Sequence, residues 1–217
     1  MGALAGVLSK LDDNTVPLVI TMLQELAHRG SQGHLIVTPT ETFSAQSIAE
    51  LAQNRSVLST VSVGRNFSSG RRRAPLNAQG SKLVFEGRIF CEPEAPCLSK
   101  IATHSENSPE DIGKRIIQDF DGSYTFAFAS DKQMLIGRDP LGTMPLYYGE
   151  NESLRAVASE RKALWKIGIH DVRSFPPGNL AHVNHNGFSF EPIWKIRPRF
   201  YRRIKTSAVA SHLMNLL

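Results

Sequence analysis

Cysteine is nearly absent from this chain: Cys91 and Cys97 are its two thiols in 217 residues. Their C-x5-C spacing fits neither a zinc knuckle nor a disulfide framework, and no paired histidine spacing completes a metal site. Reduced thiols and no metal are the expectation. Long apolar runs are missing too; none approaches the roughly 20 residues of a membrane-crossing helix. The opening stretch, MGALAGVLSK, lacks the basic n-region of a secretory leader and is followed by Asp12 and Asp13. A cytoplasmic protein with no membrane association is therefore expected. Internal repeats and low-complexity tracts are also lacking. With 21% charged and 41% hydrophobic residues, the composition excludes a disordered chain.

Most of the chain has no excess of either charge. In total 25 Lys+Arg face 20 Asp+Glu, a formal +5 that invites a nucleic-acid partner. Residues 195–205 (KIRPRFYRRIK) hold six of those basic residues and no acid, and 206–217 carry no charge. Removing the basic stretch leaves 19 against 20, a net of −1. The body is close to neutral, with one local run at Arg71-Arg72-Arg73. A nucleic-acid module needs aromatic platforms or a groove-entering helix as well as charge, and Phe200 and Tyr201 alone do not supply them. That reading is set aside. The chain divides into a body, 1–194, and a tail, 195–217, made of a basic linker with Pro198 and the start of a helix at about 206–217.

Periodicity gives the body its elements. ALAGVLS near the start reads as a buried strand. Asn14 is placed to cap a helix with its apolar stripe on Val16, Val19, Ile20 and Leu23, and Gly30 suits a left-handed helix end. Strands are expected at 34–38 and 57–63 with a short helix between, at about 45–53. Residues 66–80 read as an exposed loop. Further strands follow at 83–90, 123–130, 133–139, 145–149, 154–158, 179–183 and 187–190. Ser108-Pro109-Glu110-Asp111 opens a helix over 108–119, and another is expected near 160–166. Few helices against many antiparallel strands predict an α+β fold.

Three stretches carry more than local structure. Arg138-Asp139-Pro140-Leu141-Gly142-Thr143-Met144-Pro145-Leu146-Tyr147-Tyr148 follows a strand and turns at Gly142 and Pro145 into the next; taken alone, its Arg-Asp pair reads as a local ion pair and cap. Ala158-Ser159-Glu160-Arg161-Lys162-Ala163-Leu164 precedes a rigid Pro176-Pro177-Gly178 turn. The start, MGALAGVL, is followed by His28-Arg29-Gly30. Together they resemble the RDPxGxxPLYY, ASExKAL with PPG, and MCGIAGIL with HRG patterns of the N-terminal glutaminase domain of asparagine synthetases. This resemblance to class II glutamine amidotransferases of the N-terminal-nucleophile type spans about 1–195. It implies a four-layer αββα sandwich.

What the resemblance implies about chemistry is mostly absence. The family's nucleophile is a cysteine exposed once Met is removed, with its own α-amine as base. Gly2 stands there, so no catalytic residue is assigned. The family's oxyanion segment, N-G-E, is Glu86-Gly87-Arg88 here. A carboxylate at Glu86 has the wrong sign for a developing oxyanion, and Arg88 would repel a substrate ammonium. Alternation along a strand puts both on one face, where they are expected to pair with each other. Arg65 matches the arginine that holds the glutamine α-carboxylate, so Arg65, Glu86, Gly87 and Arg88 form a vestigial substrate-binding set. Arg138, Asp139, Gly142, Pro145, Ser159 and Glu160 are fold-motif residues. Ala74-Pro75 and Glu106 are poor matches to the remaining pocket positions. Neither Cys91 nor Cys97 has a basic neighbour to make it a thiolate, Glu92 and Glu94 oppose it, and Ser9 would need chain cleavage to become a terminal nucleophile.

The expected function is a glutamine amidotransferase-like domain without glutaminase activity; the alternative is a working glutamine-hydrolysing asparagine synthetase subunit whose N-terminus was engineered to Gly2. The former would serve an ATP-dependent amide-forming synthetase domain present in cis or in trans. ATP and Mg are expected in that synthetase domain and no cofactor in this chain; self-association into a homodimer is left open.

Overall fold

ALAGVLS forms a strand, β1 (Ala3–Ser9), buried along its whole length. A strand buried on both faces needs a layer on each side. Ala3, Ala5 and Val7 face a layer of helices, while Leu4 and Leu8 face a second sheet. The computed structural model describes residues 2–67, 74–90, 108–196 and 206–215. Cys91, Cys97, Glu106, Arg71-Arg72-Arg73 and 197–205 lie outside them.

The first sheet has the order β11 (Val172–Ser174), β9 (Tyr147–Glu150), β10 (Leu154–Ala158), β1, β4 (Val61–Asn66), β2 (His34–Val37), β3 (Thr42–Ala45). The second runs β13 (Gly187–Pro192), β12 (Asn179–Asn184), β8 (Gln133–Arg138), β7 (Gly122–Ser130), β6 (Ser81–Ile89), β5 (Leu76–Ala78). Neighbours in both are antiparallel. Helices α1 (Val16–Glu25), α2 (Ile48–Leu51) and α4 (Arg161–Lys166) pack on the outside of the first sheet. Helix α3 (Pro109–Asp119) covers the second through Ile112, Ile116 and Ile117. The result is the expected α+β sandwich in four layers, αββα, with one apolar core between the sheets and one under each helical layer.

Local chemistry explains the well-read elements. Ser108 caps α3 by accepting the Asp111 amide at 3.1 Å, Pro109 fills its first turn, and Glu110 and Asp111 meet its positive end. The Tyr124 hydroxyl donates to the carbonyls of Ile116, at 2.7 Å, and Phe120, at 3.1 Å, tying that helix to β7.

Other expectations shift. Thr15 rather than Asn14 is the cap residue of α1; its hydroxyl donates to the Ser59 carbonyl, and Asn14 Oδ1 accepts the Val16 amide at 3.2 Å. Gly30 is extended, at φ −173°, because the chain leaves α1 through a 3-10 turn, Ala27–Arg29. There it needs closeness rather than a left-handed turn, with the Phe67 backbone 2.9 Å from where a Cβ would stand. The strand expected at 57–63 lies at Val61–Asn66, pulled into register by β1 on one side and β2 on the other. β3, β5 and β11 are three- or four-residue strands that propensity did not mark. The tail helix α5 (Thr206–Met214) is present, with Val209, Leu213 and Met214 exposed.

Candidate functional site

Gly2 lies where three of the recognised motifs meet. The Gly2 amide donates to Glu86 Oε1 at 2.8 Å. Its carbonyl accepts from Arg29 Nε at 3.2 Å. Two residues on, the Leu4 amide donates to Ser159 Oγ, and the Ser159 amide returns a bond to the Leu4 carbonyl, both at 2.9 Å. Arg29 also reaches Glu160 Oε1 at 3.2 Å, and His28 Nε2 lies 2.9 Å from the same oxygen. Burial pushes the Glu160 carboxyl up, but the bonds from His28 and Arg29 more than reverse this and leave it below its ordinary value. The HRG and SE motifs therefore anchor the start of β1, Ser159 by bonding its backbone directly and Glu160 by holding Arg29 against the Gly2 carbonyl.

Glu86 does not pair with Arg88. Its second oxygen accepts from Arg65 Nε at 2.6 Å, and the two side chains are 1% and 3% exposed. Alternation does put residues 86 and 88 on one face of β6, but Arg88 sits at the exposed rim. A carboxylate buried this deeply needs its cation in the interior, and β4 of the facing sheet supplies it. Arg65 also lies over the Phe67 ring, 5.5 Å from its centroid. The arginine expected for a substrate carboxylate is thus engaged by the chain's own.

Space closes the site as firmly as charge. A Cβ on Gly2 would fall on the Asn66 carbonyl oxygen and 2.6 Å from Glu86 Cδ and Oε1. Asn66 cannot retreat readily: its side chain donates to the Leu23 carbonyl at 2.8 Å and lies 2.6 Å from His34 Nδ1, all buried. Gly87, the neighbour of Glu86, is at φ +129°, with the Ser123 carbonyl where a side chain would go. Sequence reasoning missed His34 and Asn66; neither belongs to a motif, and the only signal was their place in strands flanking β1.

The RDPLGTMPLYY stretch is a built turn. Arg138 does not pair with Asp139. Its guanidinium clamps three carbonyls: Met144 and Gly142, each at 2.7 Å, and Phe175 at 2.6 Å. Asp139 faces the other way, accepting the Thr143 and Met144 amides at 2.9 and 3.0 Å. The expected cap is there; the ion pair is not, because each partner is saturated by backbone. Gly142 takes φ +66° against Pro177, and Pro145 leads into β9. Ser9 Oγ caps the turn after β1 by accepting the Leu11 and Asp13 amides.

One group of metal-competent side chains occurs among the described residues: Glu110, His182 and Glu191. The Lys114 ammonium already bridges both carboxylates, at 2.7 and 3.1 Å. Among those residues, no helix is long and apolar enough to cross a membrane.

Residues 76–166 match the family model of a glutamine amidotransferase domain. The amidophosphoribosyltransferase of Methanothermobacter thermautotrophicus is 35% identical over 123 residues, covering 56% of this chain and 25% of that protein. Asparagine synthetase B (glutamine-hydrolyzing) of Escherichia coli is 34% identical over 106 residues, covering 48% and 18%. The chain thus spans about a quarter or less of these relatives. Among solved structures, the glutamine phosphoribosylpyrophosphate amidotransferase of Bacillus subtilis, complexed with ADP and GMP, superposes with a TM-score of 0.73 at 20% identity. That match covers 88% of this chain and 49% of the solved one, and it concerns the fold.

Proposed function

We propose that this chain, which is similar to the glutamine amidotransferase domain over residues 76–166 and to asparagine synthetases and amidophosphoribosyltransferases, is a class II amidotransferase-type domain that has exchanged glutamine hydrolysis for a structural or regulatory role. One observation carries this reading: the Glu86 carboxylate bonds both the Gly2 amide and Arg65, filling the place where an N-terminal thiol would stand. Hydrolysis of a glutamine amide needs a nucleophile, a hole for the oxyanion and a seat for the α-carboxylate. Gly2 has no nucleophilic atom, Glu86 brings negative charge to the oxyanion's place, and Arg65 is already paired.

What remains is a rigid body whose N-terminal strand is locked at its start. In this reading the partner is an ATP-dependent amide-forming synthetase domain, in cis or in trans, that draws its nitrogen from another source. ATP and Mg belong to that partner, the two operate in the cytoplasm, and 195–217 joins the body, 1–194, to it. The identity to amidophosphoribosyltransferases favours a second partner class, a domain that works on a phosphoribosyl substrate. Isolation of the tagged chain from its own cells, with identification of what copurifies, distinguishes the two.

Hydrolysis itself is tested by glutamate release from glutamine. The chain, and Gly2→Cys alone, are expected to show none above a buffer blank, because Glu86 and the Asn66 carbonyl still occupy the site. Release by either protein at a rate comparable with an intact amidotransferase overturns the proposal. The triple variant Gly2→Cys/Glu86→Asn/Arg88→Glu then reports whether the loss lies in those three positions.

A further inference from the structure

Three arginines are buried among the described residues: Arg65, Arg138 and Arg155, at 3%, 7% and 6% exposure. Two are fully answered, Arg65 by Glu86 and Arg138 by three backbone carbonyls. Arg155 is not. Its Nη1 is buried with no acceptor, and its Nε, also buried, has an ion-pair contact to Glu150 at 3.1 Å without hydrogen-bond geometry. Buried guanidinium groups without acceptors are costly and call for an explanation, commonly a bound ion or water.

Arg155 lies in β10 with Leu8 of β1 on one side and Glu150 of β9 on the other. Val157, two residues along, packs between the sheets, so Arg155 faces the same way. It sits at the end of β1 opposite Gly2. Glu150 Oε2 is 3.1 Å from its Nε but is drawn more closely by Lys10 Nζ, at 2.7 Å. Lys10 also donates to the Asn151 carbonyl at 2.6 Å. Two cations thus share one carboxylate, and a positive charge is left over. Glu150 is 47% exposed and Lys10 20%, so the group opens to solvent past Glu150. The Lys10 bond, with Arg155 behind it, holds the Glu150 carboxyl below its ordinary value. Ionised, Glu150 marks the place where an oxyanion is accepted.

We propose that Arg155 and Lys10 form a binding site for a small oxyanion, a carboxylate or phosphate group, which displaces the Glu150 carboxylate into solvent. A planar guanidinium with free N–H groups suits either oxyanion, and an ammonium beside it adds a point charge. The site is separate from the Gly2 end and does not rest on that end being inactive.

Thermal melting of the whole chain tests this, with inorganic phosphate and acetate as separate probes and sodium chloride at matched ionic strength as the reference. The expected result is a saturable rise with at least one probe, roughly 5–10 °C at about a hundredfold excess over Kd. Response to phosphate alone identifies a phosphate-type ligand, and response to acetate identifies a carboxylate. Arg155→Met should abolish the rise, while melting without anion at least as high as the parent chain. Glu150→Gln, which removes the competing carboxylate, should saturate at several-fold lower probe concentration, and it carries the test by itself if Arg155→Met does not fold. A rise matched by chloride, no rise with either probe, or an undiminished rise in Arg155→Met overturns the proposal.

Discussion

At each end of β1 a buried arginine on the inner face of the first sheet meets a glutamate, and the two ends solve the problem differently. At the Gly2 end, Glu86 is 1% exposed and gives one oxygen to Arg65 and the other to the backbone. At the far end, Glu150 is 47% exposed, and the same oxygen that approaches Arg155 is bound to Lys10. The first arrangement is electrically closed and sterically full; the second has unused donors and a way out to water. A polar group filling a pocket therefore says little until its partners are counted.

That contrast can be broken at its strongest point first. Glu86→Ala removes a buried carboxylate that faces Arg65 and holds the Gly2 amide, and the expected loss is about 3–5 kcal/mol in urea unfolding; a loss under about 1 kcal/mol would mean the pair is not buried as described. Next comes Gly2→Ala, whose Cβ falls on a backbone carbonyl that cannot swing aside. A cost of about 1–3 kcal/mol is expected for such overpacking, seen as a lower urea midpoint at unchanged slope. The smallest effect belongs to Glu150→Gln. Its ion pairs are half in solvent, so about 0–1 kcal/mol is expected at neutral pH. Because the Lys10 bond lowers its folded-state pKa, that stability is present above the unfolded carboxylate's pKa and fades as pH falls through the folded value. Unfolding of both proteins across the acid range should show the difference shrinking downward; a difference that grows toward acid would reverse the assignment.

How much of this was legible in the sequence depended on whether the deciding interaction was local. The helix at Pro109–Asp119 was readable because cap, proline and acids all lie within its first turn. The α+β class was readable from the pattern of elements and the four layers from the family resemblance, and β1, with no polar face to leave in water, agrees with both. The three motifs pointed to the N-terminal strand, and the departures from the family pattern at Gly2, Glu86 and Arg88 were visible as residue types. Glu86's partner was not, since Arg65 is 21 residues away on the other sheet and strand alternation offered Arg88 instead. Arg138 and Asp139 misled for the same reason: adjacent opposite charges look like a pair until the backbone of a distant turn claims one of them. The short strands β3, β5 and β11 are held by their neighbours rather than by propensity.

Under the proposed loss of glutamine hydrolysis, the lock on Gly2 also constrains the history open to this protein. Recovering a thiol at position 2 first meets the Asn66 carbonyl and the Glu86 carboxylate. Replacing Glu86 first removes the buried carboxylate that faces Arg65 and holds the Gly2 amide. Each order of single substitutions thus begins with a loss of stability and no gain of chemistry. The two positions are coupled so that such a return needs both changes together, which makes the proposed exchange a ratchet: neutral drift can alter the surface of this domain freely while the Gly2–Glu86–Arg65 contacts stay closed.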